Sequence, residues 1–191
     1  MYKLCKTEQS AARQRELEMG LLKAMETERY EDISVSDLCD QMQIPRKSFY
    51  RYFSSKDGAL HALLDHTLME FEDYSLGLRG NTVWTVQMDL EQFFDFWYRR
   101  RELLDALARS GITGMLIERA VAYALTDDIL PKRFLMTDDV HAQRQITTFC
   151  VCGMMSMVVT WHHEGFLLTA VEMARIATRI LNQPLFPMAE K

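Results

Sequence analysis

Apolar residues recur three and four positions apart along most of the chain, and no β-branched run alternates with period two. That pattern predicts an all-α protein. A first helix is expected from about Glu8 to Glu28, with Leu17, Leu21, Ala24 and Met25 as its inward stripe. Ser34 opens a short second helix with Asp37 three residues on, a capping-box-like pair, and Val35, Leu38 and Met42 face inward. Pro45 starts a third, where its missing N–H is harmless. A long fourth helix is expected from about Lys56 to Leu78, ended by Gly77, Gly80 and Asn81. Residues 82–99 form an amphipathic fifth, burying Val86, Leu90, Phe93, Phe94 and Trp97. Residues 100–109 and 112–125 read as two more helices, split by Ser110 and Gly111. After a loop at 127–137 holding Pro131, the last two helices are expected at 138–163 and about 168–182.

The penultimate helix carries an apolar stripe of Ile146, Phe149, Cys150, Gly153, Met154, Met157, Val158 and Trp161. Spacing of this kind packs helix against helix, and Gly153 with Ala174 and Ala177 would allow close backbone approach. The expected interface between two copies is therefore Cys150, Gly153, Met154, Met157, Val158, Trp161, Ala174 and Ala177.

Two short helices joined by a turn within Ile33 to Leu60 make a helix-turn-helix, whose second helix is sized for the DNA major groove. Charge strengthens that reading. The chain of 191 residues carries a net charge of -5, yet Gln41 to Lys56 holds four basic residues and no acidic one. Residues 1–60 balance ten basic against ten acidic side chains, so the deficit lies wholly in 61–191. An acidic protein is not drawn onto nucleic acid as a whole, so DNA contact must come from a local patch.

Apolar content of 48% with 26% charged residues excludes a disordered chain. Cys5, Cys39, Cys150 and Cys152 do not make a disulfide framework, and the N-terminal residues do not read as a secretory signal. A reducing cytoplasm is the expected compartment. Residues 145–163 carry no formal charge but are diluted by Thr, Gly and Ser, so a buried helix is expected there and not a membrane span. Adjacent His162 and His163, and Cys150 with Cys152, point to different sides of a helix, so neither pair suits a metal. With no phosphate loop, nucleophile elbow or zinc-protease motif, neither cofactor nor catalytic residue is expected.

Ser34, Val35, Leu38 and Cys39, then Gln43, Ile44, Pro45, Ser48, Tyr50, Tyr52 and Phe53, then Lys56 and Asp57, resemble the DNA-binding end of the TetR family of bacterial transcription regulators. The resemblance covers residues 10–60 and departs from the family pattern twice. Gln43 stands where the family has Gly, which tolerates a left-handed backbone, and Pro45 replaces a capping Ser. Gly153, Trp161, Gly165, Phe166 and the Met173–Ala174 region are similar to a C-terminal domain common among Firmicutes members. The resemblance implies a homodimer, about nine helices per protomer, and an effector pocket in the C-terminal domain. Residues 1–60 would be the helix-turn-helix domain and residues 61–191 the helical dimerisation and ligand-binding domain.

Arg46, Lys47 and Ser48 would open the helix that meets base edges, where Arg pairs bidentately with guanine. Tyr50, Arg51, Tyr52 and Lys56 are expected at or near the phosphates, with Ser34 and Ser36 donating from the start of the second helix. Phe49 and Phe53 are assigned to the core. Met88, Phe93, Phe94, Trp97, Met115, Tyr123 and Phe149 could line a pocket for an apolar or aromatic effector, or form core. The expectation is a homodimeric, DNA-binding, non-enzymatic regulator of a near-palindromic double-stranded operator, a repressor released by an unidentified small molecule. The rival is a small helical ligand- or cofactor-binding protein or enzyme without DNA affinity. A regulator whose C-terminal domain docks a protein partner is a third reading.

Overall fold

In a computed structural model the chain is described over residues 2–3, 5–78, 85–126 and 137–183, the side chains of 76–78 aside. Among the described residues nine helices occur: α1 (Glu8–Met25), α2 (Val35–Gln41), α3 (Arg46–Tyr50), α4 (Lys56–Leu78), α5 (Val86–Arg99), α6 (Arg101–Arg109), α7 (Thr113–Thr126), α8 (Val140–His163) and α9 (Ala170–Asn182). The expected break at Gly80–Asn81, the start of the fifth helix at 82–84, and the loop at 127–136 with Pro131 lie outside the described residues. Gly77, expected to end the fourth helix, lies inside it.

Thr7 caps α1 by accepting from the Ser10 N–H, and Leu17, Leu21 and Met25 are wholly buried, as their spacing requires. The helix stops three residues earlier than expected. Its last carbonyls turn to other donors: the Glu26 N–H reaches back to Lys23 O, and the Arg109 guanidinium of α6 donates to the carbonyls of Met25 and Glu26. Gly20 lets the Met42 side chain lie against α1, where any Cβ would fall 2.3 Å from the sulfur.

Ser34 caps α2, accepting from the Asp37 N–H at 3.1 Å and donating to the Asp37 carboxylate at 2.5 Å. The following turn passes through Gln43 at φ +54°, so the left-handed residue is retained without glycine. Pro45 is the N-cap of α3 and supplies no side-chain hydrogen bond.

Helix α4 buries Ala59, Leu60, Ala62, Leu63 and Leu64 and packs on α1, α5 and α7. α5 lies between α4 and α9, and α7 between α4 and α8. Phe94 and Trp97 of α5 are fully buried, and Phe94 meets Trp161 of α8 edge-to-face at 5.7 Å. Gly111, at φ +67°, closes α6 while the Ile112 N–H returns to Leu107 O. The apolar core runs unbroken from Leu17 through Leu63 to Ala177, so α4 serves both expected domains. No helix among the described residues is long and apolar enough to cross a membrane.

The stripe on α8 divides between two directions. Val158 and Trp161 are buried inside the protomer, whereas Phe149 is 69% exposed and Gly153 is exposed. Cys150, Met154 and Met157 are half-buried. Ala174 and Ala177 of α9, expected between protomers, are fully buried within one, and Thr178 beside them donates to Gln87 of α5 at 2.7 Å. Their small size serves the α9–α5 packing. Trp161, Val158, Ala174 and Ala177 are therefore core residues of the protomer.

Candidate functional site

Helix α3 is seated from below by Phe49 and Phe53, whose rings lie 5.2 Å apart in the core. With those anchors inward, Arg46, Lys47, Tyr50 and Arg51 remain exposed and Ser48 half-exposed. Lys47, Ser48, Tyr50, Arg51 and Tyr52, with Pro45 and Arg13, line an open cleft of about 580 Å³. Arg13 comes from α1 and was not among the residues singled out in the sequence. Its signal in the sequence is weak, because Arg13 lies on α1, outside the helix-turn-helix, and pairs with Glu16. Tyr52 is 8% exposed, so it is mainly a packing aromatic with one edge on the cleft. Cys39 behind α3 is fully buried; burial pushes its thiol pKa up, with Arg46 opposing and Asp40 adding.

Lys56, expected at or near the phosphates, also makes internal contacts. Its ammonium donates to the carbonyls of Tyr30, Ile33 (2.5 Å) and Glu31 (3.3 Å), and it lies 4.3 Å from the Tyr30 ring centre. All three ammonium protons have an internal acceptor, so Lys56 holds the α1–α2 connection against the start of α4. The Tyr30 hydroxyl donates to Asp57 at 2.6 Å, and burial first, then this bond, pushes its pKa well above the usual phenol range. Ser34 is committed to its cap, and Ser36 is half-buried.

The expected effector residues separate. Phe93, Phe94 and Trp97 are contiguous on α5, with ring centres 5.2 and 6.4 Å from Phe93. Phe71 of α4 meets Phe93 at 5.6 Å. Met115 is half-buried; Tyr123 is also half-buried, and its hydroxyl donates to Glu72 of α4 at 2.7 Å. Met88 is 38% exposed, and Phe149 is too exposed to line an internal pocket. Among the described residues, the buried indole N–H of Trp97 and the buried Oε1 of Gln92 have no hydrogen-bond partner, which a filled core does not leave without cost.

A polar network not anticipated from sequence links α1 to α4 and to Arg100. Glu18, fully buried in α1, takes Arg15 at 2.9 Å and lies 2.9 Å from His66 Nδ1 of α4. Arg15 also pairs with Glu70 of α4, which binds Arg100 at 2.8 Å. Nearby, Asp65 of α4 is gripped by Arg119 of α7, with Nε at 2.7 Å from Oδ1.

This helical order, with an exposed basic α3 set on a long α4, decides the fold. The chain has the TetR-type regulator fold. FadR of Bacillus halodurans, a fatty acid degradation regulator, superposes with a TM-score of 0.63 at 11% identity, over 95% of this chain and 98% of that one. A tetR-family transcriptional regulator from Streptomyces coelicolor gives a TM-score of 0.59 at 17% identity, covering 90% and 79%. The dihydroxyacetone kinase operon activator DhaS gives 0.59 at 14% identity, covering 89% and 94%. No family model and no curated protein matches the sequence itself.

Proposed function

We propose that this TetR-type chain is a DNA-binding transcription regulator that works as a homodimer. The observation that carries the reading is the α3 surface, where Arg46, Lys47, Tyr50 and Arg51 project from a helix whose other side is locked by Phe49 and Phe53. Arg46 and Lys47 stand at the end of the helix that meets base edges in helix-turn-helix complexes, and Arg51 and Tyr50 suit phosphates. Phe149, with Val171 (45% exposed), Ile176 (41%) and Leu181 (45%), leaves apolar surface on α8 and α9 that a second copy would cover. Two heads so joined would read half-sites about one helical turn, ~34–36 Å, apart. A dimer on such an operator excludes polymerase from overlapping DNA, so repression is the proposed sign.

The unpaired Trp97 N–H and Gln92 oxygen support a small-molecule effector in the C-terminal helices, an apolar body carrying an acceptor for the indole and a donor for the amide oxygen. To act, it must favour one spacing of the heads over the other. The test is a gel shift against the DNA immediately upstream of the coding sequence, paired with size-exclusion chromatography. Specific retardation by a dimer at physiological salt is expected. A monomer that leaves every duplex free even at low salt overturns the reading.

A further inference from the structure

Ahead of α1, Tyr2, Lys3 and Cys5 are built into the molecule. Tyr2 pairs with Phe53 in an antiparallel bridge, and the Lys3 N–H donates to Tyr52 O at 3.0 Å. The short segment thus runs beside the chain that leaves α3. Its fastening is specific. The Tyr2 hydroxyl donates to Asp65 Oδ2 at 2.7 Å, on a buried residue whose carboxylate is already gripped by Arg119. The Tyr2 ring stands edge-on to His66 at 5.8 Å. Farther along, Cys5 Sγ donates to Gln14 of α1 at 2.7 Å. The segment is therefore tied down on both sides of Lys3.

Extended chain turns successive side chains to opposite sides. With Tyr2 turned inward onto α4, Lys3 is exposed, and its backbone is bonded to Tyr52, which lines the cleft on α3. An acidic protein offering DNA a small basic patch gains from each further cation placed at its rim. We propose that Lys3 is a DNA-phosphate contact of the α3 surface and that Tyr2, clamped to Asp65, is the positioning residue that holds it there. The inference rests on the DNA-binding reading and adds to it a segment outside the helix-turn-helix.

An unanchored lysine would lose rotational and translational freedom on meeting a phosphate; a lysine on a pinned backbone has already lost most of it. Tyr2 thus acts through Lys3, and the two substitutions should not add.

The experiment measures full-length protein on its upstream DNA by fluorescence anisotropy across a salt series. Lys3→Ala should bind about five- to tenfold more weakly per arm, and lower the slope of log K against log salt by about 0.9 per arm. Lys3→Arg should keep the wild-type slope. Tyr2→Phe, which keeps the ring and loses the clamp, should reduce the slope in the same direction. The double variant should bind no worse than Lys3→Ala. A Lys3→Ala slope equal to wild type overturns the proposal, and so does a Tyr2→Phe loss that adds in full to that of Lys3→Ala. Wild-type protein that binds no DNA would instead sink the reading beneath it.

Discussion

The guanidinium of Arg109, at the end of α6, donates to the carbonyl of Met25, at the end of α1, at 2.7 Å across 84 residues of sequence. It also donates to Glu26, so two of the orphan carbonyls of α1 are satisfied by another helix. Beside them the Ser110 hydroxyl accepts from the Tyr30 N–H at 2.9 Å. Arg109→Ala should cost about 1 kcal/mol, since the arginine is exposed and its bonds are only partly shielded. Urea denaturation checks it, and an unchanged midpoint would show that water replaces the guanidinium without loss.

Lys56 and Arg46 are expected to behave oppositely. Lys56→Ala strips three carbonyls of their donor and should lower stability by about 1–2 kcal/mol, leaving the salt dependence of DNA binding as it was. Arg46→Ala should leave stability alone and cost about 1–3 kcal/mol of preference for operator over scrambled DNA. A salt slope that drops in Lys56→Ala would return that lysine to the phosphates.

Gln43 holds φ +54°, a conformation that costs a side-chain-bearing residue about 1–3 kcal/mol. Gln43→Gly removes that strain and adds some unfolded-state entropy, so a net gain of about 0.5–1 kcal/mol is expected. Thermal unfolding reads it directly. A lower melting temperature would mean that Gln43 makes contacts worth more than its strain.

Alkaline pH should unfasten Tyr30. Its phenol is held protonated by burial and by the bond to Asp57, so its folded pKa lies above the unfolded value near 10. A group raised on folding contributes stability that is complete below the unfolded pKa and is lost as pH rises beyond it. Stability should therefore fall above about pH 10, and less steeply in Tyr30→Phe. Urea midpoints measured from pH 8 to pH 11 give the comparison; parallel curves would exclude Tyr30 as a source.

On α8, Phe149→Glu puts a charge on the most exposed aromatic of the helix. If this surface joins two copies, the variant should run as a monomer on sedimentation, with an unchanged helical signal. A dimer that survives would place the contact elsewhere.

Periodicity revealed the helices and their inward faces well, because Leu17, Leu21 and Met25 repeat at the helix period and are buried for that reason. The Ser34 cap was equally readable, since its partner is three residues away. Long-range partners were not. The internal bonds of Lys56 were hidden because their acceptors are backbone carbonyls 23 to 26 residues upstream, which no side-chain pattern announces. Ala174 and Ala177 showed that something packs closely against α9 without saying whether it was α5 or a second copy. Phe149 carried the same ambiguity in reverse, since an aromatic in a stripe has no mark for inside or outside. Tyr2 belonged to no period, so its clamp on Asp65 left no trace.

Leu60, Leu63 and Leu64 sit in an interior that continues from α1 into the C-terminal helices, and this limits how the molecule can be cut. A fragment ending near residue 60 would lose Leu63 and Leu64, together with the Arg109 grip on α1 and the Asp65 clamp on Tyr2, and would bare oily surface to water. The N-terminal helices are thus no transplantable module: grafted onto a foreign partner they should clump, whereas grafts that carry α4 and its neighbours intact should stay in solution.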